Sequence, residues 1–214
     1  MEKHIWLERW ENNETGFHES SVNPLLLKHF HALELPLASR IFVPLCGKSL
    51  DVGWFLAKGY CVVGVEFSES AVKELFKELE EEPYVVKEGH FTHYSAENID
   101  IYVGDFFDLT LELVGNIDAI YDRASIVALP AEARPKYAKH MLALTRSAPQ
   151  LLVSIEYDQN LSNRTPFNVD SDELHTHYAE HYTLSQLDTL EIEGGFKGKI
   201  PASDTVWLLD DLNL

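Results

Sequence analysis

Apolar residues recur with roughly helical spacing at Ile5, Trp6, Leu7 and Trp10, until Asn12-Asn13 and Gly16 break the pattern. That spacing predicts a short amphipathic helix over about residues 3–12. Asn23-Pro24 predicts a second helix, with asparagine as N-cap and proline at the first helical position, and with Leu25, Leu26, Leu27, Phe30 and Leu33 as its apolar face. From residue 41 the texture changes. "RIFVPL" precedes "SLDVGWFLAKG", "YCVVGVEF" precedes "SESAVKELFKELEEE", and "NIDAIYDRA" precedes "EARPKYAKHMLALTRS" and "QLLVSIEY". Short apolar runs alternating with helical patterns predict an α/β protein, a parallel sheet with helices on both faces. In the helix opened by Ser68 as N-cap, Ala71, Val72, Leu75, Phe76 and Leu79 form the inward stripe. After about residue 180, "YTLSQLDTLEI" and "SDTVWLLDDL" read as two strands with no helix between them, an antiparallel pair closing one edge. The polar segment from Pro83 to Ile99 interrupts the alternation and reads as an inserted irregular or hairpin structure.

The length, 214 residues with 45% hydrophobic content, suits one domain with one substantial core. The formal charge of -18 opposes binding to nucleic acid or to an anionic membrane surface. Cys46 and Cys61 are the only cysteines, too few for a disulfide framework or a zinc ribbon, and they fit a reducing compartment. No apolar run approaches a membrane span and the N-terminus offers no apolar signal core, so the chain reads as soluble and cytoplasmic.

Gly47-Lys48-Ser49 raises the question of a phosphate loop. A Walker loop needs a glycine five positions before its Gly-Lys-Ser, and that place is Phe42. The dinucleotide fingerprint also fails, because Gly47 and Gly53 are separated by bulky residues. What survives is the order of strand, glycine and helix, with Glu66 about 20 residues on at the end of the next strand. A carboxylate there can accept hydrogen bonds from two adjacent ribose hydroxyls; it can equally be an acid favoured by the dipole of the helix it precedes. A ribose acid beside a loop not built for pyrophosphate points to an adenosine cofactor without phosphates. S-adenosyl-L-methionine (AdoMet) is one.

"FVPLCGKSLDVGWFLAKGYCVVGVEFSESAV" resembles the first motif of the thiopurine S-methyltransferase family in its bacterial form. "IWLERWENNETGFHESSVNPLL" resembles the family's N-terminal lid and "IDAIYDRASIVALP" its fourth-strand motif. The resemblance implies a class I AdoMet-dependent methyltransferase: a doubly wound, seven-stranded, mostly parallel sheet with an antiparallel C-terminal hairpin. It divides the single domain into a helical lid, 1–35, and an AdoMet-binding core, 36–214. It also implies a monomer, a small-molecule methyl acceptor and release of S-adenosylhomocysteine.

By that resemblance Trp10, Leu45, Glu66 and Arg123 contact AdoMet, with Gly47 in the same loop. An aromatic face at Trp10 can cover the sulfonium, or the residue can be core. Leu45 ends the first strand, where its backbone meets a ligand at the sheet's carboxyl edge. The Arg123 fork can hold the cofactor carboxylate, stabilise an acidic acceptor atom, or pair with a neighbouring acid. Asp105, and more weakly Phe106, stand where similar enzymes bind adenine; a helix cap and a core aromatic are the alternatives. Phe17, His18 and Phe167 are the acceptor-facing candidates. Methyl transfer from a sulfonium is an in-line displacement that needs alignment and exclusion of water and no dedicated base, so Arg123 is the one candidate for an electrostatic catalytic role. "NRTPFNV" and "EGGFKGKIPASDTVWLL" depart from the family's commoner forms. The acceptor is therefore expected to be a thiopurine or other thiol sulfur, or a selenium or tellurium species.

Two other readings stand beside this one. A non-catalytic AdoMet sensor would keep the Glu66 pocket without turnover. "HYAEH", His177 to His181, fits an inverted zinc-hydrolase pattern with two histidines on one helical face, but the later helix that should carry a third ligand is missing, so no metal is expected.

Overall fold

A computed structural model describes Glu8, Trp10 and residues 20–212. Glu8 and Trp10 are both helical; the rest of the expected helix over about 3–12, and Phe17 and His18, lie outside the described residues. Asn23 caps α1 (Pro24–His29) by accepting from the N–H groups of Leu25 and Leu26, with Pro24 in the first turn. Leu25, Leu26, Phe30 and Leu33 are buried, whereas Leu27, expected on the same face, is 53% exposed. Leu25, Leu26 and Leu27 are consecutive in α1 and span roughly 200° of its circumference, so all three cannot face the core at once.

The alternation then runs as the sequence predicts: β1 (Arg40–Val43), α2 (Leu50–Ala57), β2 (Cys61–Glu66) and α3 (Glu69–Glu78). Ser49 caps α2 and Ser68 caps α3, each accepting a backbone N–H with its hydroxyl. The segment expected as an insertion is a hairpin, β3 (Tyr84–Glu88) and β4 (Phe91–Ala96), ahead of β5 (Ile99–Val103). After α4 (Leu111–Val114) come β6 (Ala119–Arg123), α5 (Arg134–Thr145), β7 (Gln150–Tyr157), α6 (Ser171–Tyr178), β8 (Tyr182–Glu191) and β9 (Ala202–Asp211).

Among the described residues the sheet has nine strands in the order β3-β4-β5-β2-β1-β6-β7-β9-β8, not seven. The two additional strands are the β3–β4 hairpin, which extends the sheet by antiparallel pairing of β4 with β5. The five central strands, β5-β2-β1-β6-β7, are parallel, and β9 and β8 close the other edge antiparallel. Both faces are covered. One core packs Leu26, Phe55, Val72 and Phe76 of α1, α2 and α3 against the sheet, and the other packs Tyr137, Met141, Leu174 and Tyr178 of α5 and α6. From β1 the chain winds outward through β2 to β5, then returns to β6 on the other side of β1. That reversal opens a crevice beyond the carboxyl ends of β1 and β6, where ligands bind in open α/β sheets.

Candidate functional site

Leu45 and Gly47, in the turn that leaves β1, both have positive φ, +45° and +52°. A leucine held in the left-handed region costs on the order of 1 kcal/mol, which the surrounding structure must offset. It does so with hydrogen bonds. Cys46 donates its N–H to the Val65 carbonyl at 3.0 Å, carrying the β1–β2 pairing past the end of β1. Gly47 donates to Glu66 Oε2 at 2.9 Å, and Ser68 donates to Glu66 Oε1 at 2.9 Å. Burial pushes the Glu66 carboxyl upward in pKa, while the N–H groups of Ser68, Gly47 and Phe67 pull it back in part. Each carboxylate oxygen has a further acceptor site, so the fixed carboxylate can still take two hydroxyls.

A side chain at Gly47 would bring its Cβ to 2.9 Å from Trp10 Cζ2, closer than real Cβ atoms come. The indole therefore lies directly over the bare glycine backbone. Cys46 beside it is buried, and desolvation together with the nearby Glu66 holds its thiol neutral. Lys48 also lines the cavity, but its Nζ pairs with Glu74 at 2.8 Å and Glu78 at 3.2 Å on α3, so its charge is already engaged.

These residues line one side of a cavity of about 690 Å³. Trp10, Leu45, Gly47, Glu66 and Arg123, expected from the sequence to act together, all line it. The other side is built from Arg164, Thr165 and Pro166 after β7, and from Ile192, Phe196 and Lys197 in the β8–β9 connection. Phe196 packs on Tyr157 with ring centroids 4.8 Å apart, and the Lys197 ammonium sits 4.6 Å from the Phe196 centroid. Asp105 and Phe167 are not among the lining residues. Asp105 caps a 3₁₀ turn by accepting from the Phe107 N–H, and Phe106 is 2% exposed in the core between Phe42 and Tyr137. Phe167 donates its N–H to the Val127 carbonyl at 2.7 Å, which draws the loop after β7 onto the loop after β6.

Two buried acids escaped the sequence reading. Asp51, 2% exposed, accepts from the Asn23 N–H at 2.8 Å and from the Tyr121 hydroxyl at 3.0 Å, and both partners line the cavity. In sequence it resembles any acid in a first helical turn. Asp122, fully buried, accepts from the Tyr137 hydroxyl at 2.7 Å and the Ile126 N–H at 3.2 Å, and burial pushes its carboxyl up to about 6. Ser125 donates its hydroxyl to the Pro44 carbonyl at 2.7 Å, fastening the Arg123 loop to the Leu45 turn. The zinc-hydrolase pattern does not survive. Helix α6 stops at Tyr178, so His177 and His181 do not share a helical face, and His177 lies 3.2 Å from Glu173. Among the described residues no group of three or more histidine, cysteine or acidic side chains is placed to hold a metal.

Comparison with known proteins agrees with this geometry. The profile of the family described as Thiopurine S-methyltransferase (TPMT) matches residues 1–207. A thiopurine S-methyltransferase of Xanthobacter autotrophicus is 46% identical over 211 residues, 98% of this chain and 99% of the relative. One from Teredinibacter turnerae is 49% identical over 209 residues, 98% of this chain and 97% of the relative. Among solved structures, a Burkholderia thailandensis 1,6-didemethyltoxoflavin-N1-methyltransferase with bound 1,6-didemethyltoxoflavin and S-adenosylhomocysteine has a TM-score of 0.67 at 15% identity, over 98% of this chain and 87% of that one. A Synechocystis magnesium protoporphyrin IX methyltransferase with bound S-adenosylhomocysteine has a TM-score of 0.63 at 13% identity, over 98% of this chain and 100% of that one. At these identities the solved structures establish the fold.

Proposed function

The chain belongs to the thiopurine S-methyltransferase family and is an AdoMet-dependent methyltransferase, and from that premise we propose that its cavity holds AdoMet on the Trp10–Glu66 side and an acceptor thiol beyond Arg123. The observation that carries the reading is the Glu66 carboxylate, buried, fixed by two backbone N–H groups and facing a glycine cradle closed by an indole. This donor and acceptor set fits an adenosine without phosphates: acceptors for adjacent hydroxyls, an aromatic face for a sulfonium, and a Lys48 ammonium already engaged by Glu74 and Glu78. When bound, AdoMet supplies an electrophilic methyl group and leaves as S-adenosylhomocysteine.

Glu66 accepts the ribose hydroxyls, and the turn from Leu45 to Gly47 brings its backbone to the ligand at the carboxyl edge of the sheet. Trp10 covers the sulfonium end. Asp105 serves the adenine side, a role supported by the Gly104 N–H bond to the Glu66 carbonyl at 2.9 Å, which sets its loop beside Glu66. Arg123 offers a fixed positive charge to an acidic sulfur, favouring the thiolate without a separate base. Phe17, His18 and Phe167 belong to the acceptor side, where Pro166 and Phe196 add the apolar walls that exclude water. The acceptor class is a thiopurine or another thiol.

The reading extends to a monomer of one domain, with residues 1–35 as lid over the core, working in the cytoplasm without nucleic acid. It rests there on the free Cys46 and Cys61 and on the charge of -18. No helix among the described residues is long and apolar enough to cross a membrane. Calorimetric titration with S-adenosylhomocysteine, followed by methylation assays on a thiopurine, an aliphatic thiol and selenite, tests it. Micromolar product binding with turnover of the thiopurine is the expected result. Absence of binding removes the cofactor assignment, and binding with turnover of selenite alone removes the thiol.

A further inference from the structure

We propose that Arg134 is a positioning residue for the acceptor, setting the part of the cavity's far wall formed by Arg164, Thr165 and Pro166, and the segment of Val127 and Ala128 joined to it, through the loops after β6 and β7; this rests on the assignment of that wall to the acceptor above. Arg134 is 3% exposed and opens α5, where a cation opposes the helix dipole, so helix formation does not explain its presence. Its guanidinium spans three segments. Nε donates to the Leu129 carbonyl at 2.9 Å, and Nη1 donates to the Asn168 carbonyl at 3.0 Å and to Glu173 Oε2 on α6 at 2.6 Å. It also lies 5.8 Å from the centroid of the Phe167 ring. Leu129 directly follows the lining residues Val127 and Ala128, and Asn168 closely follows Arg164, Thr165 and Pro166.

Burying a charge is costly unless it is paired and hydrogen-bonded, and Glu173 provides the pairing. Two further N–H groups go to carbonyls of the loops after β6 and β7, the second of which carries Arg164, Thr165 and Pro166 of the wall. Asn168 passes the constraint on: its side-chain oxygen accepts from the Tyr157 N–H at 2.9 Å, and its own N–H donates to Gln159 Oε1 at 2.8 Å. Tyr157 then donates its hydroxyl to the Pro166 carbonyl at 2.8 Å. Arg134 is not among the residues that line the cavity; it acts through the loops. A lysine retains the charge beside Glu173 but is a point charge that cannot fork between the Leu129 and Asn168 carbonyls.

Arg134→Lys therefore separates the positioning role from plain stability. In the full chain, the KM for a thiopurine should rise about tenfold while the Kd for S-adenosylhomocysteine stays within about twofold. Tyr157→Phe, which removes the hydroxyl that donates to the Pro166 carbonyl and accepts from Gln159 Nε2 at 3.2 Å, should raise the same KM about threefold. A folded Arg134→Lys protein with unchanged acceptor KM overturns the proposal. So does a joint rise of KM and Kd, because the damage is then global. If Arg134→Lys does not fold, Tyr157→Phe decides on the same readouts, and an unchanged KM overturns it. Wild-type protein that binds no S-adenosylhomocysteine or methylates no thiol sinks the functional reading and this one with it, whereas unchanged variants of an active wild type sink this one alone.

Discussion

The two sides of the cavity are built from different materials. On the Glu66 side the contacts are local and largely backbone: two positive-φ residues, Leu45 and Gly47, and a carboxylate held by two N–H groups, all between the ends of β1 and β2. On the far side the wall is made of side chains, Arg164, Pro166, Ile192, Phe196 and Lys197, carried on the long connections after β7 and between β8 and β9. Gly195 shows how tightly the second connection is folded, since a Cβ there would collide with the Ile200 carbonyl. Backbone geometry near a strand end leaves few solutions, which suits a cofactor whose shape does not vary. A wall of side chains on long connections can be rebuilt without disturbing the sheet, which suits an acceptor that differs among enzymes of one fold.

The contrast is most severely tested at Asp51, which ties the Glu66 side to the body of the protein. Asp51→Ala leaves the Asn23 N–H and the Tyr121 hydroxyl buried without this acceptor, and should lower unfolding free energy by about 4 kcal/mol in urea denaturation. A loss below about 1 kcal/mol would mean that this side is not anchored through Asp51.

Next in size is Asp122, on the strand between the two sides. Its folded pKa of about 6 lies above the ordinary aspartate value, so the native state binds more protons than the unfolded state between about pH 4 and 6. The stability it contributes is present in full below pH 4 and is lost as pH rises through 6. Relative to Asp122→Asn, wild-type stability should fall by about 3 kcal/mol across the range from about pH 2 to pH 8, most of it between pH 4 and 7. Parallel stability curves for the two proteins would contradict this.

The smallest effect bears on the comparison most directly. Glu66→Ala should weaken S-adenosylhomocysteine binding by about 2 kcal/mol through lost hydrogen bonds to a charged acceptor. Unchanged affinity would show that the backbone alone holds the cofactor.

The same contrast explains what could be read from sequence. Alternating runs and helical stripes placed nearly every central element, because period and capping are local properties; Ser68 caps its helix, and Ala71, Val72, Leu75 and Phe76 of the stripe are buried as expected, with Leu79 partly so. Glu66 was legible because the end of the second strand is a fixed address. Arg134 and Asp51 were not, because each looks like an ordinary charge in a first helical turn until partners distant in the chain are brought to it. The strand count was short by two for a related reason. Tyr84–Glu88 is exposed throughout, so β3 lacks the alternation of a half-buried strand and is held by its turn and by pairing with β4. Leu27 shows the limit of counting apolar residues, since only geometry tells which way each one points.

The strand order has a consequence for synthesis on the ribosome. β9 follows β8 in the chain yet lies inside it, pairing with β7 on one side and β8 on the other. A nascent polypeptide that has made β8 has no neighbouring strand on which to lay it, and the flank of β7 stays open until β9 emerges. The Phe196 wall lies on the connection between those strands. The order of the sheet thus makes the emergence of β9 a condition for placing the Phe196 wall.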